Sequence, residues 1–258
     1  VHGNTATCTQ VVTVVDNQNP AITCPSNISV SSDAGVCTAT VLTLGTPVTA
    51  DNCSVASVTN NHPSTTYSSG TTTVIWTVTD GSGNTATCSQ TVTVTDIILP
   101  SITCPANISV NVDAGLCTAT VATLGTPTTA DNCAVATVAN DHASTIYPVG
   151  TTTVTWTVTD LAGNTATCTQ TVTVTDNINP SITCPATVTV NADAGVCTAT
   201  IASLGTPVTS DNCAVATVTN DHASTIYPLG NTTVTWTVTD VHGNTATCTQ
   251  VVTVVDNQ

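Results

Sequence analysis

Residues 151–175 read TTTVTWTVTDLAGNTATCTQTVTVT, and their alternation decides the fold class. Val154, Trp156 and Val158 fall on one face of a strand, and Thr153, Thr155, Thr157 and Thr159 on the other, because successive strand side chains point to opposite faces. Asp160-Leu161-Ala162-Gly163 then interrupts the pattern with turn residues. Beyond it Ala166, Cys168, Val172 and Val174 face inward, and Thr165, Thr167, Thr169, Thr171, Thr173 and Thr175 face outward. Two alternating runs around a short Gly-containing turn predict a β-hairpin. Gln170 is the one strongly polar residue in the inward set and is expected at a bulge or a sheet edge.

Working outward from the hairpin, Asn107–Val112 alternates as a short strand and Asp113-Ala114-Gly115 turns the chain. Cys117–Thr123 and Val135–Ala139 read as further strands, and Ser144–Tyr147 as a short edge piece. Gly, Pro and Asp-Asn pairs punctuate the sequence about every 8–12 residues, the spacing of a small antiparallel β-sandwich. No stretch has helical period.

This pattern recurs. Trp76, Trp156 and Trp236 are 80 residues apart (156 − 76 = 80), as are Tyr67, Tyr147 and Tyr227. The cysteines keep the same step: Cys8, Cys88, Cys168 and Cys248; Cys24, Cys104 and Cys184; Cys37, Cys117 and Cys197; Cys53, Cys133 and Cys213. Cutting at the Asp-x-x-x-Pro linkers gives three tandem units, 19–98, 99–178 and 179–258, with 1–18 expected as the C-terminal strand of a preceding unit. Val1–Gln18 repeats letter for letter as Val241–Gln258, the mark expected of a segment from a longer array.

Composition narrows the function. The 258 residues include 15 Asp and no Glu, Lys or Arg, for a formal net charge of −15. Only five His could neutralise an anion. That argues against nucleic-acid partners, whose phosphates are met chiefly by Lys and Arg, and against anionic membrane surfaces. An aromatic share of 2% leaves no stacking platform for bases or sugars. No apolar run approaches the ~20 residues of a membrane-spanning helix, so no membrane insertion of this segment is expected. With 63 Thr, the outer sheet face reads as a solvated ladder of hydroxyls, each cross-strand Thr pair supporting the sheet by a few tenths of a kcal/mol.

Four cysteines per unit at spacings of 13, 16 and 35 read as a disulfide framework formed outside the cytosol. Zinc would want Cys-x2-4-Cys knuckles, and none is present. Staples are needed, because a unit built mostly from Val, Ala and Ile with one Trp has a thin core. For catalysis, His142 sits beside Asp141 with Ser144 two residues on, and His222 beside Asp221 with Ser224. A triad must converge from different elements; these lie in one loop and read as polar loop residues, so no enzyme is expected.

Several motifs now add up. Each unit carries Ile102-Thr103-Cys104-Pro105, Asp113-Ala114-Gly115-Leu116-Cys117, Asp131-Asn132-Cys133, Tyr147-Pro148-Val149-Gly150 and Asp160-Leu161-Ala162-Gly163-Asn164-Thr165-Ala166-Thr167-Cys168, or their counterparts. Unit one departs at Pro63 and Tyr67-Ser68-Ser69-Gly70. The pattern resembles the hyalin repeat (HYR) across the whole chain. The resemblance implies an all-β fold of tandem immunoglobulin-like antiparallel β-sandwiches in an elongated array, an extracellular, cell-surface setting, and no catalytic residues. The Thr-rich, four-cysteine style is most similar to tandem repeats of giant Bacteroidota surface adhesins exported by the type IX system, which include gliding-motility adhesins. The expected function is therefore a structural segment of an adhesin, stalk or filament. The alternative is a calcium-dependent module that binds glycan or a surface. Expected partners are neighbouring repeats, other copies in a fibre, and an external surface or glycan.

An immunoglobulin-like sandwich implies two further expectations. Its first and last strands run side by side in parallel, which pairs Cys24–Cys88, Cys104–Cys168 and Cys184–Cys248. The remaining cysteines then pair within units as Cys37–Cys53, Cys117–Cys133 and Cys197–Cys213, or between units as Cys37–Cys133 and Cys117–Cys213. The within-unit scheme lets each unit close on itself, but it requires the loop after Cys117 to double back across the sandwich. Secondly, the loop before the third strand, the last hairpin and the previous unit's exit linker share one pole. Calcium is the cofactor expected there, held by Asp16, Asp51, Asn52 and Asp80, by Asp96, Asp131, Asn132 and Asp160, and by Asp176, Asp211, Asn212 and Asp240.

Overall fold

The computed structural model describes residues 2–257. Val1 and Gln258, the outer bounds of the expected first and last segments, lie outside the described residues. The first repeat contains β1 (Ala21–Thr23), β2 (Ile28–Ser31), β3 (Thr38–Thr40), β4 (Val48–Ala50), β5 (Val55–Asn60), β6 (Thr66–Ser68), β7 (Gly70–Asp80) and β8 (Thr85–Thr95). The second contains β9 (Ser101–Thr103), β10 (Ile108–Asn111), β11 (Thr118–Thr120), β12 (Thr128–Ala130), β13 (Val135–Asn140), β14 (Ile146–Pro148), β15 (Gly150–Asp160) and β16 (Thr165–Thr175). The third contains β17 (Ser181–Thr183), β18 (Val188–Asn191), β19 (Thr198–Thr200), β20 (Val208–Ser210), β21 (Val215–Asn220), β22 (Ile226–Pro228), β23 (Gly230–Asp240) and β24 (Thr245–Val255).

By contact, the chain divides into two units. The first runs to Ile102 and adds Thr129–Ala139 and Thr157–Thr167. The second comprises Thr103–Thr128, Asn140–Trp156 and the residues from Cys168 on. Each therefore holds one complete repeat and one junction with the middle repeat.

In the first unit the four-stranded sheet has the order β2-β8-β7-β5. Its centre is the long hairpin, in register from Gly70↔Val94 to Thr79↔Thr85. β2 runs parallel to β8. Two ribbons, β1–β4 and β3–β6, complete the sandwich. Ala39, Val41, Tyr67, Val74, Trp76, Val92 and Val94 fill the core between the layers. The second unit repeats this arrangement as β18-β24-β23-β21 with the ribbons β17–β20 and β19–β22, around Ala199, Ile201, Tyr227, Val234, Trp236, Val252 and Val254. The ribbon strands β1 and β4, with their equivalents, are missing from the sequence reading. They are three residues long and flanked by Pro, too short to show a period.

Gln170 sits at neither a bulge nor an edge. Its equivalents Gln90 and Gln250 stand in unbroken register opposite Val74 and Val234, and all three are fully buried. The amide is accommodated because every polar group is paired. Gln170 Oε1 accepts from Trp156 Nε1 at 3.0 Å, and Nε2 donates to Ala106 O and Leu124 O at 2.7 and 2.9 Å. The indole and two loop carbonyls are thus tied to the hairpin in each repeat.

Residues 2–20, which include the segment expected as the last strand of a preceding unit, carry no strand, and Val11, Val12 and Val14 are exposed. The identical letters at 245–255 form β24, which pairs along β23 on one side and β18 on the other. A strand needs a neighbour for its backbone groups, and residues 2–20 have no ladder partner among the described residues.

Five disulfides form. Cys24–Cys88, Cys104–Cys168 and Cys184–Cys248 close the repeats, with Cα–Cα separations of 5.7, 5.7 and 5.8 Å. The within-repeat scheme for the other set is corrected. Cys37 bonds Cys133 and Cys117 bonds Cys213, at 4.5 and 4.6 Å, while Cys53 and Cys197 are free and exposed. The reason lies in the poles. Cys37 ends the β2–β3 turn, whose Ser32 Oγ donates to Asp96 in the exit linker. Cys53 lies at the opposite pole, where Asn52 Nδ2 donates to Asp16. The exit pole of one repeat meets the loop before the fifth strand of the next, so Cys37 reaches Cys133 and never Cys53.

Candidate functional site at the repeat junctions

The last hairpin begins each junction. In the first unit Asp80 Oδ1 accepts from the amides of Ser82 and Asn84 at 2.9 and 2.8 Å, and Oδ2 from Asn84 Nδ2 at 2.7 Å. Gly83 takes φ +93°, a left-handed conformation that other residues rarely adopt. Burial opposes ionisation of Asp80, but the Asn84 side chain and the Asn84, Ser82 and Gly83 amides outweigh it and hold the carboxyl below its usual range. The turn thereby aims an amide outward. Asn84 Nδ2 donates to Asp16 O, and Asn164 Nδ2 to Asp96 O and Ile98 O at 3.2 and 3.3 Å. In the second unit Asn244 Nδ2 donates to Asp176 O at 3.3 Å. The Asp-x-x-Gly-Asn motif is therefore a clamp on the preceding linker. Sequence reading placed the Asp in the junction and missed the Asn, whose fixed spacing in the motif was the available signal.

The loop before the fifth strand of the following repeat supplies the other side. Asp131 Oδ2 accepts from the amides of Cys133 and Ala134, an Asx turn that sets Asn132. Asn132 Nδ2 bridges to Val36 O at 3.0 Å and to Asp96 Oδ1 at 3.2 Å. Asn212 does the same to Leu116 O and Asp176 Oδ1. Of the expected ligands, carboxylates come together in three groups, each offering oxygens within 4.8 Å of one another: Asp16, Asp51 and Asp80; Asp96 and Asp131, beside Cys133; and Asp176, Asp211 and Asp240. Asp160 is the exception. It is absent from the Asp96 group, and its two oxygens accept from Asn164 in the turn. His242, at the turn position held by Ser82 and Ala162 in the other repeats, places Nδ1 3.0 Å from Asp176 Oδ2.

The His-Asp-Ser loop is structural. His142 stacks on Tyr147 at 4.3 Å between ring centroids, and its Nδ1 meets Ser144 O. Asp141 Oδ1 accepts the Thr155 amide at 2.8 Å, and Asp141 N donates to Thr155 O. The Thr155 amide, with help from its side chain, lowers the Asp141 carboxyl below its usual range; Asp221 is lowered in the same way by Thr235. In the first repeat Asn61 makes this bond to the Ile75 amide with no charge. A carboxyl depressed on folding contributes stability that is complete above its unfolded value, about 3.9, and lost as pH falls through the folded value. Acid titration followed by circular dichroism should therefore show the Asp141→Asn and Asp221→Asn double variant folded at neutral pH, with its acid unfolding moved to lower pH. An unchanged acid midpoint would show that the two carboxylates do not govern it.

Fold and junctions together define a disulfide-stapled, all-β tandem-repeat protein. The chain belongs to the HYR domain family, which matches residues 15–94, 95–174 and 175–254. These bounds have the same period as the linker cuts and begin four residues earlier. The chain is 37% identical over 170 residues to "Hyalin" of Strongylocentrotus purpuratus, covering 62% of this chain and 14% of that protein. It is 33% identical over 228 residues to "Hyalin" of Lytechinus variegatus, covering 84% of this chain and 43% of that protein. The chain thus spans less than half the length of either relative. Among solved structures, protocadherin gamma B2 extracellular cadherin domains 1–5 align over 95% of this chain and 62% of that one, at 13% identity and a TM-score of 0.35. Drosophila N-cadherin EC1-4 aligns over 92% and 75%, at 10% identity and a TM-score of 0.34.

Proposed function

We propose that this chain is a tension-bearing, non-catalytic segment of a long extracellular adhesin stalk or filament, of the kind seen in the giant surface adhesins its Thr-rich, four-cysteine pattern resembles. The observation that supports this is the disulfide topology. One covalent route crosses each repeat through Cys24–Cys88, Cys104–Cys168 and Cys184–Cys248, joined by connectors of 16 residues (104 − 88 = 16). A second route runs from Cys37 to Cys133, back along 16 residues to Cys117 (133 − 117 = 16), and on to Cys213. A force applied along the chain therefore meets two parallel covalent paths at each complete junction. Cys53 and Cys197 occupy the phases that the second route joins, and in a longer array each is available to a flanking repeat. The absence of Lys and Arg also removes every trypsin site.

Single-molecule stretching tests this reading. The oxidised chain should lengthen by no more than one 16-residue connector per repeat, roughly 5–6 nm at full extension. After reduction each 80-residue repeat should release roughly 26–29 nm. Full-repeat steps from the oxidised chain would refute the tension-bearing role.

A further inference from the structure

We propose that the junction in the first contact unit is a calcium-type cation site formed by Asp96, Asp131 and Asn132, and that His242 takes the cation's place in the second. Asp96 is 3% exposed. Its Oδ1 accepts from Ser32 Oγ at 3.1 Å, the Ile98 amide at 3.1 Å and Asn132 Nδ2 at 3.2 Å. Its Oδ2 has no partner. Asp131 commits Oδ2 to its own turn, and its buried Oδ1 is unpartnered, as is Asn132 Oδ1. Buried carboxylates are normally paired with a donor or a cation. The usual partners, Lys and Arg, do not exist in this chain.

Asp96 and Asp131 each offer a carboxylate oxygen within 4.8 Å of the other, and Asn132, whose Nδ2 bonds Asp96, leaves a third hard oxygen unpartnered. Calcium accepts six to eight oxygens in irregular geometry and completes its shell with water, whereas magnesium demands a near-ideal octahedron. The nearby Cys133 sulfur is held in its disulfide with Cys37, which leaves no thiolate for a softer metal.

The second unit contains the natural control. Asp176 Oδ1 accepts from the Ile178 amide at 3.2 Å and from Asn212 at 3.3 Å, as in the first unit. Its Oδ2, however, lies 3.0 Å from His242 Nδ1, which donates to it. The residue at this phase in the first unit is Ala162, which has no donor to offer. Asp211 Oδ1 and Asn212 Oδ1 stay unpartnered beside it. Removing the imidazole would leave Asp176 Oδ2 without its partner, the state of Asp96 Oδ2 in the first unit.

Equilibrium dialysis of the full oxidised chain against calcium chloride, in sodium chloride near the physiological ~0.15 M, tests both halves. Asp96→Asn should bind one calcium ion fewer than the wild type, because a carboxamide removes the charge and can itself donate to Asp131 Oδ1. Asp131→Asn serves as the second variant should the first lose its native circular dichroism. His242→Ala should bind one ion more than the wild type. A wild type that binds no calcium, or folded Asp96→Asn or Asp131→Asn chains that bind as many ions as the wild type, would overturn the site. A His242→Ala chain with unchanged stoichiometry would overturn the role given to His242.

Discussion

Reducing all five disulfides is expected to unfold the chain at room temperature. Each native disulfide of a small extracellular domain contributes about 2–5 kcal/mol. Folded domains are stable by only about 5–15 kcal/mol in total. The cores here explain the dependence: in the first and third repeats one Trp, one Tyr and a few Val, Ala and Ile fill the space between the layers. Cys24 and Cys88 themselves pack against the first core, and Cys184 and Cys248 against the third. The bond Cys184–Cys248 spans 64 residues, worth about 4 kcal/mol on the chain-entropy account. Its loss alone, in Cys184→Ala with Cys248→Ala, should lower the third repeat's melting temperature by on the order of 20 °C. Circular dichroism and tryptophan emission with and without a phosphine reductant measure both effects. A reduced chain that keeps a cooperative melt within a few degrees of the oxidised one would mean that the cores suffice unaided.

The second large effect is expected from Gln250→Leu. The substitution is close in volume and apolar, so a simple hydrophobic count favours it. It nevertheless strands three groups: Trp236 Nε1, Ala186 O and Leu204 O, all now satisfied by the Gln250 amide at 3.0, 2.7 and 2.9 Å. Each buried group left without a partner costs about 1–3 kcal/mol. A net loss of about 4 kcal/mol in the third repeat is therefore expected in urea denaturation, near the upper range for one substitution. A loss below about 1 kcal/mol would show that water replaces the amide and that the network is dispensable.

Much of the molecule could be read directly from its letters. Val154, Trp156 and Val158 alternate with Thr because a pleated strand has a period of two, and the structure buries those three residues. The 80-residue period fixed the number of repeats, and the carboxylates of the linker and of the loop before the fifth strand meet where the topology required. Local pattern could not assign the groups that depend on another part of the chain. Gln170 looks like a break in an apolar face until its three partners are seen, two of them 64 and 46 residues away. His242 looks like a surface substitution until the linker carrying Asp176 lies beside it.

The second disulfide set makes the division plain. From the letters, Cys37 and Cys117 are each expected in a disulfide, with two pairing schemes open; only the placement of exit and entrance poles selects Cys133 for Cys37 and Cys213 for Cys117. The duplicated eighteen residues show the same division. At 241–258 they carry a strand with neighbours on both sides, and at 2–18 the same letters carry none. Side-chain alternation determines which face a strand would bury. Whether the strand exists is decided by a neighbouring backbone that can take up its amides and carbonyls, and only the tertiary structure supplies that neighbour.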